Sequence, residues 1–309
     1  MSNPVQLYID QLPDNTKNID ISNRKLLACP DLSRFKNLES LNCCSNQLKT
    51  LPPLNNPLKK LSCSSNQLVS LPTLNDSLQK LSCGLNKLKS LPVLNDSLQE
   101  LDCSKNKLTL LPPLNKNLRI LHCYSNYLKT LPELNQNLRI LYCFSNYLKT
   151  LPELKDGLRT LYCFENQLVM LPPLNEKLKS LSCYSNKLTF LPTLNDSLEI
   201  IDCSRNQLNT LPELNDGLRE LDCSSNQIEF LPALNHSLDS LNCCENQLTS
   251  LPRLNDKLEE LNCYKNPLEL LDPNDDIPIL RQQIQILTNF KHLYFSLKFK
   301  TQFKRWLWN

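Results

Sequence analysis

Leucines recur along this chain in a fixed register. From Leu38 to Leu268 the unit L-x-x-L-x-C-x-x-N-x-L-x-x-L-P-x-L-N-x-x repeats with a period of 20 residues. Cysteines therefore fall at Cys43, Cys63, Cys83 and onward to Cys263, and asparagines at Asn46, Asn66 and onward to Asn266. A fixed period of this length marks a solenoid, in which each unit buries its apolar side against the next. In the unit 58–77, Leu61 and Cys63 share strand parity, so both point to the core face. The pattern predicts a short parallel strand over Lys60 to Ser64. Asn66 then turns the chain, and its amide can bond backbone groups of adjacent coils that would otherwise be buried unpaired. Leu71-Pro72 makes the return arm extended or polyproline-like, because proline sets its own φ and pushes the preceding residue out of the helical region. Asn75-Asp76-Ser77 supplies turn chemistry before the next strand.

The ends depart from the pattern, as solenoid ends must. Near the start, Ile19, Ile21 and Leu26 take the places of Leu61, Cys63 and Leu68, while Arg24 stands where the ladder asparagine belongs. This predicts a degenerate coil. Beyond Asp272-Pro273, Ile277, Leu280, Ile284 and Leu287 recur at helical spacing, as expected of a helix covering the last open coil. The expected organisation is an N-terminal cap with a degenerate first repeat over 1–37, a twelve-repeat solenoid over 38–271, and a C-terminal helical cap with a basic aromatic tail over 272–309.

The unit resembles the leucine-rich repeat family, with Cys in place of the second Leu of the usual L-x-L strand. The likeness is close over 38–268 and fades back to about Leu12. Short repeats with Leu-Pro in the return arm look like those of secreted bacterial effectors that act inside host cells, and some giant-virus proteins carry similar arrays. The resemblance implies an α/β-type solenoid of mostly short parallel strands, a horseshoe with extended convex arms. It also implies a protein-binding scaffold whose partner protein sits on the concave face.

The chain holds 15 cysteines, which in a short secreted protein would suggest disulfides. In-register cysteines on strands about 4.8 Å apart are poorly placed to bond, since a disulfide wants Cβ atoms about 3.5 to 4.5 Å apart. Reduced thiols acting as small apolar fillers are expected, with occasional bridges or metal capture as the alternative. No C-x-x-C pair occurs, so no metal site or cofactor is expected. The net charge of +3 resides after residue 270, and the rest of the chain is neutral. A neutral array argues against a nucleic-acid clamp. The N-terminus lacks the basic start and apolar run of a signal peptide, and no stretch reaches the ~18 apolar residues of a membrane span. An intracellular, soluble protein is expected, with the Asn-x-Ser sequons at Asn75, Asn95, Asn195 and Asn235 as by-products of the repeat.

Specificity must lie where the repeat varies, and one region does so strongly. After the cysteine, Ser64, Gly84 and Ser104 give way to Tyr124, Phe144, Phe164 and Tyr184, before Ser204 and Ser224 resume. Before the cysteine stand His122, Tyr142 and Tyr162, and two places earlier Ile120, Ile140 and Thr160. Aromatic residues make up only 6% of the chain, so their clustering on four rungs carries information. The band of Ile120, His122, Tyr124, Ile140, Tyr142, Phe144, Tyr162, Phe164 and Tyr184 is the candidate partner site, rimmed by acids such as Glu100 and Asp102. Two plainer readings stand beside it. Cross-strand rings stabilise sheets with no ligand at all, and 118–134 matches 138–154 at 15 of 17 positions, so part of the band is also an inherited copy.

The tail 290–309 contains no acid and holds both tryptophans. It reads as a basic amphipathic stripe that either completes the cap or contacts a membrane surface, a second protein or host machinery. Catalysis is not expected. The chain has only three histidines, and nothing marks an activated nucleophile beside His122, although Asp102 occupies the next rung. Some effectors with similar repeats carry a ubiquitin-ligase domain with a catalytic Cys after the array. This chain has no Cys after Cys263, so the resemblance does not extend to that activity.

Overall fold

The structure is a computed structural model that describes residues 4–54 and 57–290. These divide at Lys187 and Leu188 into two compact units. The first begins with a helix α1, Pro4–Gln11, followed by nine strands, one per coil. Strand β1 is Asn18–Asp20 and β2 is Ser40–Asn42. From there strands start every 20 residues, as β3 at Lys60–Ser62 and β6, β7 and β8 at Ile120–His122, Ile140–Tyr142 and Thr160–Tyr162, to β9 at Ser180–Ser182. Consecutive strands pair parallel in exact repeat register, Leu121 opposite Leu141 and Leu141 opposite Leu161. The second unit holds β10 to β13, from Ile200–Asp202 to Glu260–Asn262, with the same pairing, and a C-terminal helix over 277–290.

Each strand has three residues rather than the five expected from Lys60 to Ser64. The ladder of hydrogen bonds continues, with Cys63 N donating to Ser82 O and Ser65 N to Gly84 O. The chain nevertheless leaves the strand conformation, because Ser65 adopts φ 57° and its counterparts do the same. This left-handed residue is never a glycine, so each coil carries backbone strain on the order of 1 kcal/mol.

The next residue holds that turn in place. Asn66 Nδ2 donates to Cys43 O and Cys63 O, both at 3.0 Å, and to Ser64 O, while its Oδ1 accepts Leu48 N at 3.0 Å. Asn126 and Asn146 repeat the set in later coils. Each side chain thus satisfies buried backbone groups of two coils. At the degenerate coil, where Arg24 replaces the asparagine, Asn46 reaches back to Ile21 O and accepts Arg24 N and Leu26 N.

The core behind the strands is leucine, isoleucine and cysteine. The twelve ladder cysteines are buried and all fifteen thiols are free. Burial pushes ladder thiols such as Cys123 and Cys163 well above their ordinary range and Cys29 up to about 11. Cys103 Sγ and Cys203 Sγ each face a carbonyl of the next coil, a weak thiol donor contact that an alanine would lack. Return arms contain no helix among the described residues, as the Leu-Pro step requires.

A second asparagine ladder runs down this return side. Asn115 Nδ2 donates to Asn95 O at 2.9 Å and Leu98 O at 3.1 Å, and Asn135 repeats this one coil on. From the sequence these asparagines read only as turn formers. Lys155 interrupts the ladder, and Gly157 lets the backbone close in there: a Cβ on it would lie 2.2 Å from Gln136 O.

Both ends of the described chain are helical. In the first unit α1 buries Val5 and Ile9, and Arg34 donates to Ile9 O and Leu12 O, capping the helix's last carbonyls. In the second, Leu280 and Ile284 face inward from the C-terminal helix as the helical spacing predicts, and Arg281 Nη2 donates to Asn255 O at 2.7 Å. The basic stripe expected beyond Phe290 lies outside the described residues. No helix among the described residues is long and apolar enough to cross a membrane.

Two outcomes check this account. Replacing Asn146 by Ala should cost about 3 kcal/mol or more in urea unfolding, since it orphans Leu128 N and buried carbonyls of two coils. The exposed Asn137→Ala should cost under ~1 kcal/mol. In native alkylation followed by mass spectrometry, the half-buried Cys44 and Cys244 should label far faster than Cys123 or Cys163. Even labelling of all fifteen would contradict the buried ladder.

Candidate functional site

Strands β6, β7, β8 and β9 bring the expected band together on one face of the first unit. Because partner strands are in register, residues 20 apart stack directly. His122, Tyr142 and Tyr162 form one column, with ring centroids 4.6 and 4.7 Å apart and planes within 7° of parallel. Tyr124, Phe144, Phe164 and Tyr184 form a second, at 4.2 to 4.3 Å and within 13°. Rings of the two columns meet at 46° to 49° with centroids about 6.4 Å apart. Ile120 and Ile140 flank the first column at the start of their strands, in register with each other. All nine predicted site residues lie half-buried on this face.

The stacking changes what the band presents. Interior ring faces are spent on one another, so the surface offers ring edges, aliphatic Ile120 and Ile140, and the tips of Tyr142 and Tyr162. Five face-to-face pairs at 0.2 to 1 kcal/mol each contribute roughly 1–5 kcal/mol to the coils that carry them. Tyr127 and Tyr147, just past their strands, stack more loosely at 6.1 Å and remain exposed.

The acidic rim on the preceding rung is already engaged. Glu100 accepts Lys80 Nζ at 2.6 Å. Asp102 is the cross-strand partner of His122, but its Oδ1 accepts Ser104 N and, at 2.6 Å, Ser104 Oγ. Gly84 suits this cluster, since a Cβ there would sit 3.0 Å from Ser104 Oγ. Burial lowers the His122 pKa, against the pull of Asp102 and Glu100. Burial likewise raises the Tyr142 hydroxyl, with Tyr162 adding to it. In the second unit Asp202 and Asp222 face each other in register, each holding the serine two residues on, and burial raises Asp202. Among the described residues no group of three His, Cys, Asp or Glu side chains converges as a metal site would.

No protein-family model matches the chain, and no curated protein does either. Solved structures do. YopM from Yersinia pestis, a leucine-rich effector protein, is 30% identical, with 86% of this chain and 89% of that one covered at a TM-score of 0.67. The chain belongs to the leucine-rich repeat family. YopM from Yersinia enterocolitica WA-314 is 32% identical over 87% of this chain, at a TM-score of 0.75. The functional domain of InlJ from Listeria monocytogenes, which includes a cysteine ladder, is 26% identical over 84% of it, at 0.65. This leucine-rich repeat chain spans 64% of the length of each of those two proteins. Proteins of this family generally serve as protein-interaction scaffolds.

The His122 shift sets a pH dependence. In the fold His122 binds fewer protons than in the unfolded chain between its lowered pKa and about 6.5. Its contribution to stability is therefore lost as pH falls through that window. By NMR its titration midpoint should lie below 6.5, and Asp102→Asn should lower it further by removing an opposing charge. A midpoint above 6.5 would mean the carboxylates outweigh burial.

Proposed function

We propose that this leucine-rich repeat chain is a non-enzymatic scaffold that recognises a partner protein through the sheet face carrying the aromatic band. The observation supporting this is the pair of ring columns, stacked on four adjacent rungs of a mainly polar face. A contiguous, half-buried aromatic surface of this kind suits the centre of a protein interface, where a few rings supply most of the binding energy once water is excluded. Family membership supports the same reading at the level of protein binding. The complexes recorded for FLRT2 and for Toll belong to chains 20–21% identical to this one, so they support the fold and not a partner.

The test is the double variant Phe144→Ser/Phe164→Ser. Serine stands at the matching place in Ser64 on another rung, so the fold should persist with a loss of a few kcal/mol at most. Affinity purification with the intact chain should recover a partner that the variant loses, with affinity falling at least 30-fold, since central anchors contribute roughly 2 kcal/mol or more each. Full retention by a normally folded variant would reduce the band to a sheet-stabilising ladder.

A further inference from the structure

The residue that leads into each strand forms its own column along the first unit. Several cations there are neutralised from an adjoining coil. Glu39 takes Lys17 on one side and Lys59, at 2.7 Å, on the other. In the second unit the same position pairs Arg219 with Asp239 at 2.8 Å. On the three rungs carrying the first ring column this rule fails. Arg119, Arg139 and Arg159 follow one another in register, linked through their backbones, with no carboxylate partner among the described residues. Arg159 Nη1 meets only the carbonyls of Asp156 and Lys177, and Arg119 and Arg139 are exposed. Three like charges on strands about 4.8 Å apart repel one another, which costs stability the fold relieves elsewhere with an acid.

We infer that the partner segment seated on the band is an extended acidic polypeptide, its carboxylates on Arg119, Arg139 and Arg159 and its apolar side chains on the ring edges of Tyr142 and Phe144. Each arginine immediately precedes the first residue of a strand that carries the first ring column, Ile120, Ile140 or Thr160, so the arginine row runs along the edge of the band. The outer two arginine rungs lie about 9.6 Å apart, the reach of about three extended residues, and the guanidinium fork is suited to carboxylates. A nucleic acid would also satisfy the arginines. It would need open ring faces for its bases, and here those faces are closed by stacking. Of the acids on the preceding rung, Glu100 is paired with Lys80, whereas Asp102, hydrogen-bonded by Ser104, keeps its charge and limits the segment to the rungs beyond it. The inference rests on the band being the partner surface.

The test uses the full chain and poly(Glu,Tyr) as probe, with polyglutamate, polylysine and a dT oligonucleotide beside it, at low and at physiological salt. Poly(Glu,Tyr) should bind best and weaken as salt rises. Arg119→Gln/Arg139→Gln/Arg159→Gln should weaken it at least tenfold while native thiol protection is unchanged. No binding by the intact chain, or equal binding by the arginine variant, would overturn the inference. Loss with Phe144→Ser/Phe164→Ser but not with the arginine variant would also overturn it and leave the band standing. Loss with the arginine variant alone would keep the acidic preference but remove the rings from it, overturning the band reading and with it the placement inferred here. Tighter binding of the oligonucleotide would overturn the choice of a polypeptide.

Discussion

One asparagine amide per coil holds this protein's turn. The chain leaves each strand through a left-handed residue such as Ser125 or Ser145, a conformation that opposes folding for any residue with a Cβ. It is stable only because the next side chain, Asn126 or Asn146, donates to carbonyls of two coils and accepts an amide from the earlier one. With no helix in the return arms to absorb those groups, water or asparagine must do so, and the core excludes water. The buried cysteines fit the same constraint: a small, weakly polar side chain lets coils approach at strand spacing, whereas a larger one would force them apart.

Because the turn and the core are held from inside, the outward strand positions are released from structural duty. Most carry serine, aspartate or asparagine. Four adjacent rungs carry stacked rings, and register then dictates what these rings do. Side chains 20 residues apart come to the spacing of parallel strands, close enough for planar rings to stack face to face. On the proposed reading, recognition falls to edges, tips and flanking aliphatics, with charge supplied by the arginine row at the strand entry.

The repeat made the coil legible before any coordinates, since Leu61, Cys63 and Asn66 each have one physically sensible place. The grouping of the nine site residues on one face was legible for the same reason: parity and period together set direction and neighbour. Ring orientation was not, because period says which residues are adjacent and not which way χ2 turns. The second asparagine ladder went unread because Asn75 and its counterparts satisfy turn chemistry equally well, and only coil-to-coil distance shows Asn115 reaching Asn95. Helix α1 gave no periodic signal over its eight residues, and Arg34, which caps it, is remote in sequence. The arginine row was visible as letters, but its missing acids became apparent only beside the paired Lys59 and Arg219.

Asparagines hold the coils, and the rings are proposed to serve recognition instead. Native-state hydrogen exchange at the Leu128 and Leu148 amides, which donate to Asn146 and Asn166, tests it most directly. Both amides should be as protected as strand amides, in the intact chain and equally in the Phe144→Ser/Phe164→Ser variant. Rapid exchange in the intact chain, or protection lost with the rings, would show that the aromatic columns and not the asparagines hold the fold together.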